Sequence, residues 1–282
     1  MRRSISWRLV TTAASLFAAV VILAPAAKAE PAQRIVSLNL CTDELALQLA
    51  DRDKVVSVSF LANDPSLSTV AEQARGIFVN RGMLEQIVAL KPDLVLAHRY
   101  ASRSTTDGLR RLGYRVVEIE SPQSIAATRQ QIADVALAMG EVERGKALIA
   151  TLDARLAALP MTAGRRPTAA IYQPNGYAFG RDSLADAILA LAGFDNLAAR
   201  DGVAGYARLS LESLIANPPD ILVIEEGGGD QRSMAQQFLS HPALKDRFPP
   251  QARIEVPRRY WLCAGLSVAA AAELLARARV AQ

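Results

Sequence analysis

The stretch MLEQIVALKPDLVLA at residues 83–97 returns later in the chain as SLESLIANPPDILVI at residues 210–224. Glu85 matches Glu212, so the offset is 212 − 85 = 127, and Leu84/Leu211, Ala89/Ala216, Pro92/Pro219 and Asp93/Asp220 keep the same offset. A chain that spells one helix–turn–strand twice at this distance must build two similar halves. Leu84, Ile87 and Val88 share one helical face, as do Leu211, Leu214 and Ile215. A proline follows each helix, and the next aspartate opens an apolar strand. Glu85 and Glu212 fall in the first helical turn, where the helix dipole favours an acid by about 0.3–1 kcal/mol. That suffices for either glutamate alone. It does not say why both halves carry one at the same place.

Short β-branched runs alternate with helical patterns on both sides of the repeat. Candidate strands are 34–39 (RIVSLN), 55–60 (VVSVSF), 93–97 and 115–120 (RVVEIE), then 168–173 (TAAIYQ), 220–225 and 253–257. Near-continuous apolar strands separated by helices predict mainly parallel sheets covered on both faces. Between the halves, residues 124–159 repeat apolar positions at helical spacing and break only near Gly140. The expected fold class is α/β: two α/β lobes with central mainly parallel sheets, bridged by one long α-helix, with a ligand cleft between them. The expected divisions are a leader at 1–29, an N-terminal lobe at 30–123, a helical bridge at 124–163 and a C-terminal lobe at 164–282.

The leader is read from Arg2, Arg3 and Arg8, an apolar run from Leu9 to Leu23, and Ala27-Lys28-Ala29 before Glu30. Its apolar run is shorter than the roughly 20 residues of a spanning helix. Cleavage near Ala29 removes four basic residues and no acid, leaving 32 − 4 = 28 basic against 28 acidic groups. Overall charge therefore gives no reason to expect a nucleic-acid partner. The expected location is the periplasm.

At this point the sequence resembles a known family. RIVSLNLCTDELALQLA, RGMLEQIVALKPDLVLA, PNGYAFG and GYARLSLESLIANPPDILVIEE resemble the periplasmic substrate-binding proteins of ABC importers for cobalamin, ferric siderophores and related metal chelates. The resemblance implies a two-lobed protein with a rigid helical backbone, acting as a monomer. It implies capture of a small-molecule metal chelate and delivery to a two-fold symmetric ABC permease of the inner membrane. In that family one glutamate on each lobe pairs with permease arginines, and those glutamates match Glu85 and Glu212. A ligand sensor that docks to a receptor, or an exported chelate-processing enzyme, are the alternative classes.

Ligands of open α/β sheets lie beyond the carboxyl ends of the strands. Those ends give Cys41, Thr42, Phe60, Leu61, Asn80, Arg81, His98 and Arg99 in the first lobe, with Tyr100 beside them. The second lobe gives Tyr172, Asn175, Phe179, Tyr206, Glu225, Arg258, Tyr260, Trp261 and Cys263. Aromatic rings supply flat apolar contact, and arginine forks hold anionic oxygens. Against the cobalamin-binding pattern, His98 stands where a tryptophan is expected, another tryptophan position falls near Val79-Asn80, and Tyr206 replaces a third. Arg81 and Arg99 move the expectation toward a ferric siderophore or another anionic chelate. Only His98 and His241 are present as histidines, too few for a bare-metal site, and no cofactor is expected. No nucleophile elbow, phosphate loop or zinc-protease motif occurs, so no catalytic residue is assigned. Cys41 and Cys263 could meet across the cleft as a disulfide, or stay apart as two buried thiols.

Overall fold

The computed structural model describes residues 31–100, 103–160, 164–226 and 241–280. The leader expected over residues 1–29 lies outside them. The first half runs β1 (Ile35–Ser37), α1 (Leu40–Leu49), β2 (Val55–Ser59), α2 (Ala71–Ala74), β3 (Phe78–Asn80), α3 (Leu84–Ala89), β4 (Leu94–His98), α4 (Arg103–Arg111) and β5 (Val116–Ile119). Its strands form a parallel sheet in the order β3-β2-β1-β4-β5. The chain runs outward from β1 to β3 and then crosses back to β4. A crevice therefore opens at the carboxyl ends of β1 and β4, where α1 begins.

The second half runs β6 (Thr168–Gln173), β7 (Tyr177–Phe179), α7 (Leu184–Leu191), β8 (Asp195–Asn196), α8 (Leu197–Arg200), β9 (Tyr206–Arg208), α9 (Leu211–Ala216), β10 (Ile221–Glu225), α10 (Pro242–Arg247), β11 (Arg253–Val256) and α11 (Leu266–Val280). The sheet order is β11-β10-β6-β7-β9, with β8 also beside β6. β6, β10 and β11 are parallel, whereas β7 runs against both β6 and β9. A hairpin-like edge thus replaces the outer parallel strands of the first sheet.

The repeated segment occupies equivalent places: α3 feeds β4, and α9 feeds β10. Its aspartates do the same work in each half. Asp93 accepts the backbone N–H groups of Gln33 and Arg34 at 2.7 and 3.0 Å, just before β1. Asp220 accepts the N–H and hydroxyl of Thr168 at 2.7 and 2.9 Å, at the start of β6. Each aspartate pins the entry of its strand to the entry of the strand alongside.

The segment between the halves departs from the expected single helix. It forms α5 (Ile125–Met139) and α6 (Val142–Ala157), separated by Gly140, whose φ of 77° only glycine adopts at little cost. The two helices lie antiparallel. Gly145 sits against Ala136, and Asp153 pairs with Arg129 at 2.7 Å. A Cβ on Gly145 would come within 2.4 Å of the Ala136 Cβ, so the glycine sets how closely they approach. α6 is the element tied to both halves: Arg144 reaches Asp51 at 2.5 Å, and Arg155 grips Glu273 of α11 through two bonds of 2.7 and 2.9 Å.

One apolar core joins the halves behind the crevice. Ile35, Leu45 and Leu96 belong to the same buried cluster as Leu152 of α6 and Ile171, Ile188 and Val268 of the second half. Among the described residues, no helix is long and apolar enough to cross a membrane.

Candidate functional site

The carboxyl edges of the two sheets face one another. Cys41, in the first turn of α1, is disulfide-bonded to Cys263, which follows β11, with a Cα separation of 5.1 Å. A guanidinium N–H of Arg259 also crosses from the second half to the Pro65 carbonyl at 3.3 Å. A recess of about 190 Å³ lies against this junction. Its walls include His98 and Glu120 from the ends of β4 and β5, Phe179 and Leu184 from the second half, and Tyr260, Trp261 and both cysteines. Trp261 is half-buried, and its indole Nε1 finds no partner among the described residues.

The pleat decides which of the expected cleft residues can be reached. Phe60 is 52% exposed, while Ser59 before it is buried and donates its backbone N–H and hydroxyl to Asp43 at 2.9 and 2.5 Å. Arg81 is exposed, while Asn80 is fully buried. The Asn80 amide donates to the Ser37 carbonyl, the Ser57 hydroxyl and the Val58 carbonyl at 2.8–2.9 Å. Asn80 therefore ties β1, β2 and β3 together under the surface and is corrected from a cleft residue to a scaffold residue. Thr42 is corrected likewise: it is fully buried, bonded to the Ser37 hydroxyl at 2.7 Å and donating to the Asn39 carbonyl. Tyr172 is the third correction. It has no exposed surface, donates its hydroxyl to the Leu209 carbonyl at 3.2 Å, and burial pushes its phenol up to about 12.

His98 borders the recess with Nε2 3.1 Å from the Ser121 hydroxyl. Burial holds its imidazole below the ordinary value, against an opposing pull from Glu120. The neutral ring is thus the prevailing form near neutral pH. Arg99 forms an ion pair with Glu120, and Arg258 pairs with Glu225 at 3.4 Å. Burial raises the Glu225 carboxyl, with Arg258 opposing the shift. Leu61 is half-buried beside Phe60, Asn175 is exposed in the turn after β6 with φ 62°, and Tyr100 is 71% exposed. Among the described residues no group of three or more His, Cys, Asp or Glu side chains converges as a metal cluster would.

Tyr177 and Arg208, which the sequence reading does not single out, form a cluster with Tyr206 outside the recess lining. Tyr177 stacks on Tyr206 with ring centroids 4.9 Å apart and an interplanar angle of 18°. Phe179 packs on the same Tyr206 at 4.8 Å, and the Arg208 guanidinium lies 5.7 Å from the Tyr177 centroid. β7 and β9 each span three residues, too short for alternation to announce them, although the repeat offset alone would have pointed to Arg208.

Glu85 and Glu212 are both exposed, in the first turns of α3 and α9. Neither forms an ion pair among the described residues. The backbone N–H of Glu212 and the Ser210 hydroxyl hold its carboxyl below the ordinary value, so it stays charged.

A family model described as periplasmic binding protein matches residues 35–247. A cobalamin-binding protein of Halobacterium salinarum is 29% identical over 196 residues, which cover 68% of this chain. The match takes in 53% of that protein, so the chain spans about half the length of this relative. A vitamin B12-binding protein of Photorhabdus laumondii is 28% identical over 75% of this chain and 77% of its own. Among solved structures, a periplasmic heme-binding protein from Roseiflexus sp. RS-1 in apo form superposes with a TM-score of 0.70 at 26% identity. That superposition covers 88% of this chain and 97% of the other.

Proposed function

Because the chain belongs to the periplasmic binding protein family, we propose that it is the extracytoplasmic substrate-binding component of an ABC importer. It captures a small metal chelate between its halves and hands it to a membrane permease. The observation that carries this is the opposition of the two carboxyl strand edges around a recess lined from both halves. Ligands of open α/β sheets sit at such edges. The names of the relatives, for cobalamin, vitamin B12 and heme, supply the chelate class. These are binding proteins, and the proposal assigns the cleft no catalytic step.

Delivery requires a docking surface, and Glu85 with Glu212 supplies one charge from each half. Exposed ion pairs are individually weak, about 0–1 kcal/mol, yet they steer encounter and fix register. Equivalent charges on two similar halves suit a permease built from two equivalent subunits. Reversing both charges sets like against like rather than merely deleting a contact. The Glu85→Arg, Glu212→Arg double variant should therefore fold and bind chelate as the parent does but fail to support uptake in cells carrying its permease. Each single variant should be partly impaired. Uptake at the parental rate would reduce both glutamates to helix starters, and loss of chelate binding would mean that the cleft lies elsewhere.

A further inference from the structure

The two cysteines that join the halves are also wall residues of the recess. Cys41 stands in the first turn of α1, and Cys263 follows it in the chain by 222 residues. α6 ties the halves through Asp51 and Glu273, neither of which lines the recess. The stretch from Tyr260 to Ala264, by contrast, supplies an unbroken run of the lining, and Cys263 sits inside it. That stretch belongs to no strand. Its main-chain bonds include a single turn, with the Tyr260 and Trp261 N–H groups donating to the Pro257 and Arg258 carbonyls at 2.9 Å.

Trp261 adds a buried indole N–H that has no acceptor among the described residues. An orphaned buried donor is costly, so it favours any rearrangement that gives it a partner. The bond from Cys263 to Cys41 opposes that rearrangement, because it fixes the same stretch to α1 with a Cα separation of 5.1 Å.

We propose that the Cys41–Cys263 bond is a latch on the recess wall, opened by an extracytoplasmic dithiol reductant. The latch concerns the wall itself and holds whichever ligand the recess takes. Cys41 is half-buried and Cys263 is 6% exposed, so a thiolate of the reductant attacks the Cys41 sulfur first. The S–S bond breaks, Cys263 leaves as a thiolate and is protonated, and a mixed disulfide remains on Cys41. The second thiol of the reductant then displaces Cys41, whose sulfur leaves in the first turn of α1, where the helix dipole favours a thiolate. The reductant ends as its own disulfide and the protein as two thiols, with two electrons and two protons transferred.

Dithiothreitol is the probe, applied to the folded, oxidised protein without denaturant. Intact mass reports the two new thiol hydrogens. Hydrogen exchange read by mass spectrometry then compares residues 258–265 with β1, β4, β6 and β10. Reduction should proceed in the folded state and speed exchange at 258–265 by at least about tenfold, while the sheet amides keep their rates. The Cys41→Ser, Cys263→Ser double variant should exchange as the reduced parent does and ignore dithiothreitol. If that variant does not fold, as read by circular dichroism, the reduced parent decides the matter alone. A bond that yields only on unfolding, unchanged exchange at 258–265 after reduction, or equal acceleration throughout both sheets overturns the latch. So does a folded double variant that exchanges like the oxidised parent. The bond is then a plain structural cross-link.

Discussion

Glu44 is 2% exposed on α1, and one carboxylate oxygen accepts the Thr69 backbone N–H at 3.0 Å. Burial pushes its carboxyl from 4.5 up to about 7, and that of adjacent Asp43 from 3.8 up to about 6. A carboxyl whose folded value is raised holds its proton more firmly in the native state. Its contribution is complete below the unfolded value and is lost as pH rises through the folded one. For Glu44 that window runs from about 4.5 to about 7. Glu44→Gln keeps the shape without the charge, so it should melt higher than the parent at pH 8 and level with it at pH 4, as read by paired thermal melts. No gain at high pH would mean that Glu44 stays charged in its site without penalty. Sequence gave no sign of this pair, because an acid at a helix start looks the same exposed or buried. The same blindness explains Thr42, Asn80 and Tyr172. Strand ends point to a sheet edge, but the alternation of side chains lets only one of two successive residues, Arg81 rather than Asn80, reach the surface there.

At the level of elements, the strongest signals were the long strands and the repeated helix–strand unit. Their buried runs and proline stops are local properties, and α3–β4 and α9–β10 form where those signals place them. Two things were not local. The three-residue strands β3, β7 and β9 exist because neighbouring strands offer them an edge. The stretch between the halves has helical spacing on both sides of Gly140, and only tertiary packing folds α6 back on α5. Gly145 carries that packing, with the Ala136 Cβ in the place a side chain would need. Gly145→Leu should push the two helices apart and, by overpacking, lower stability by about 1–3 kcal/mol in chemical denaturation. An unchanged unfolding midpoint would show that the α5–α6 contact is looser than this geometry. Because α6 also holds Glu273 of α11 through Arg155, the loosening should spread to the second half.

Over the whole molecule, three kinds of contact besides the Arg259–Pro65 hydrogen bond keep the halves in one arrangement. They are the shared apolar core, the ion pairs of α6 on either side, and the disulfide between Cys41 and Cys263 beside the recess. Together they hold the two halves in one arrangement around the recess that His98, Phe179, Tyr260 and Trp261 line. A cleft kept in place this way is suited to take up its ligand without large rearrangement. The central claim is that this cleft captures a metal chelate outside the cytoplasm. Native mass spectrometry of the protein taken from its own cells, without denaturation, tests it most directly. One added mass per chain, carrying the isotope pattern of a metal and lost on unfolding, is the predicted result. A chain that carries only a metal-free organic compound, or none even after exposure to its cells' extracted chelates, would contradict it.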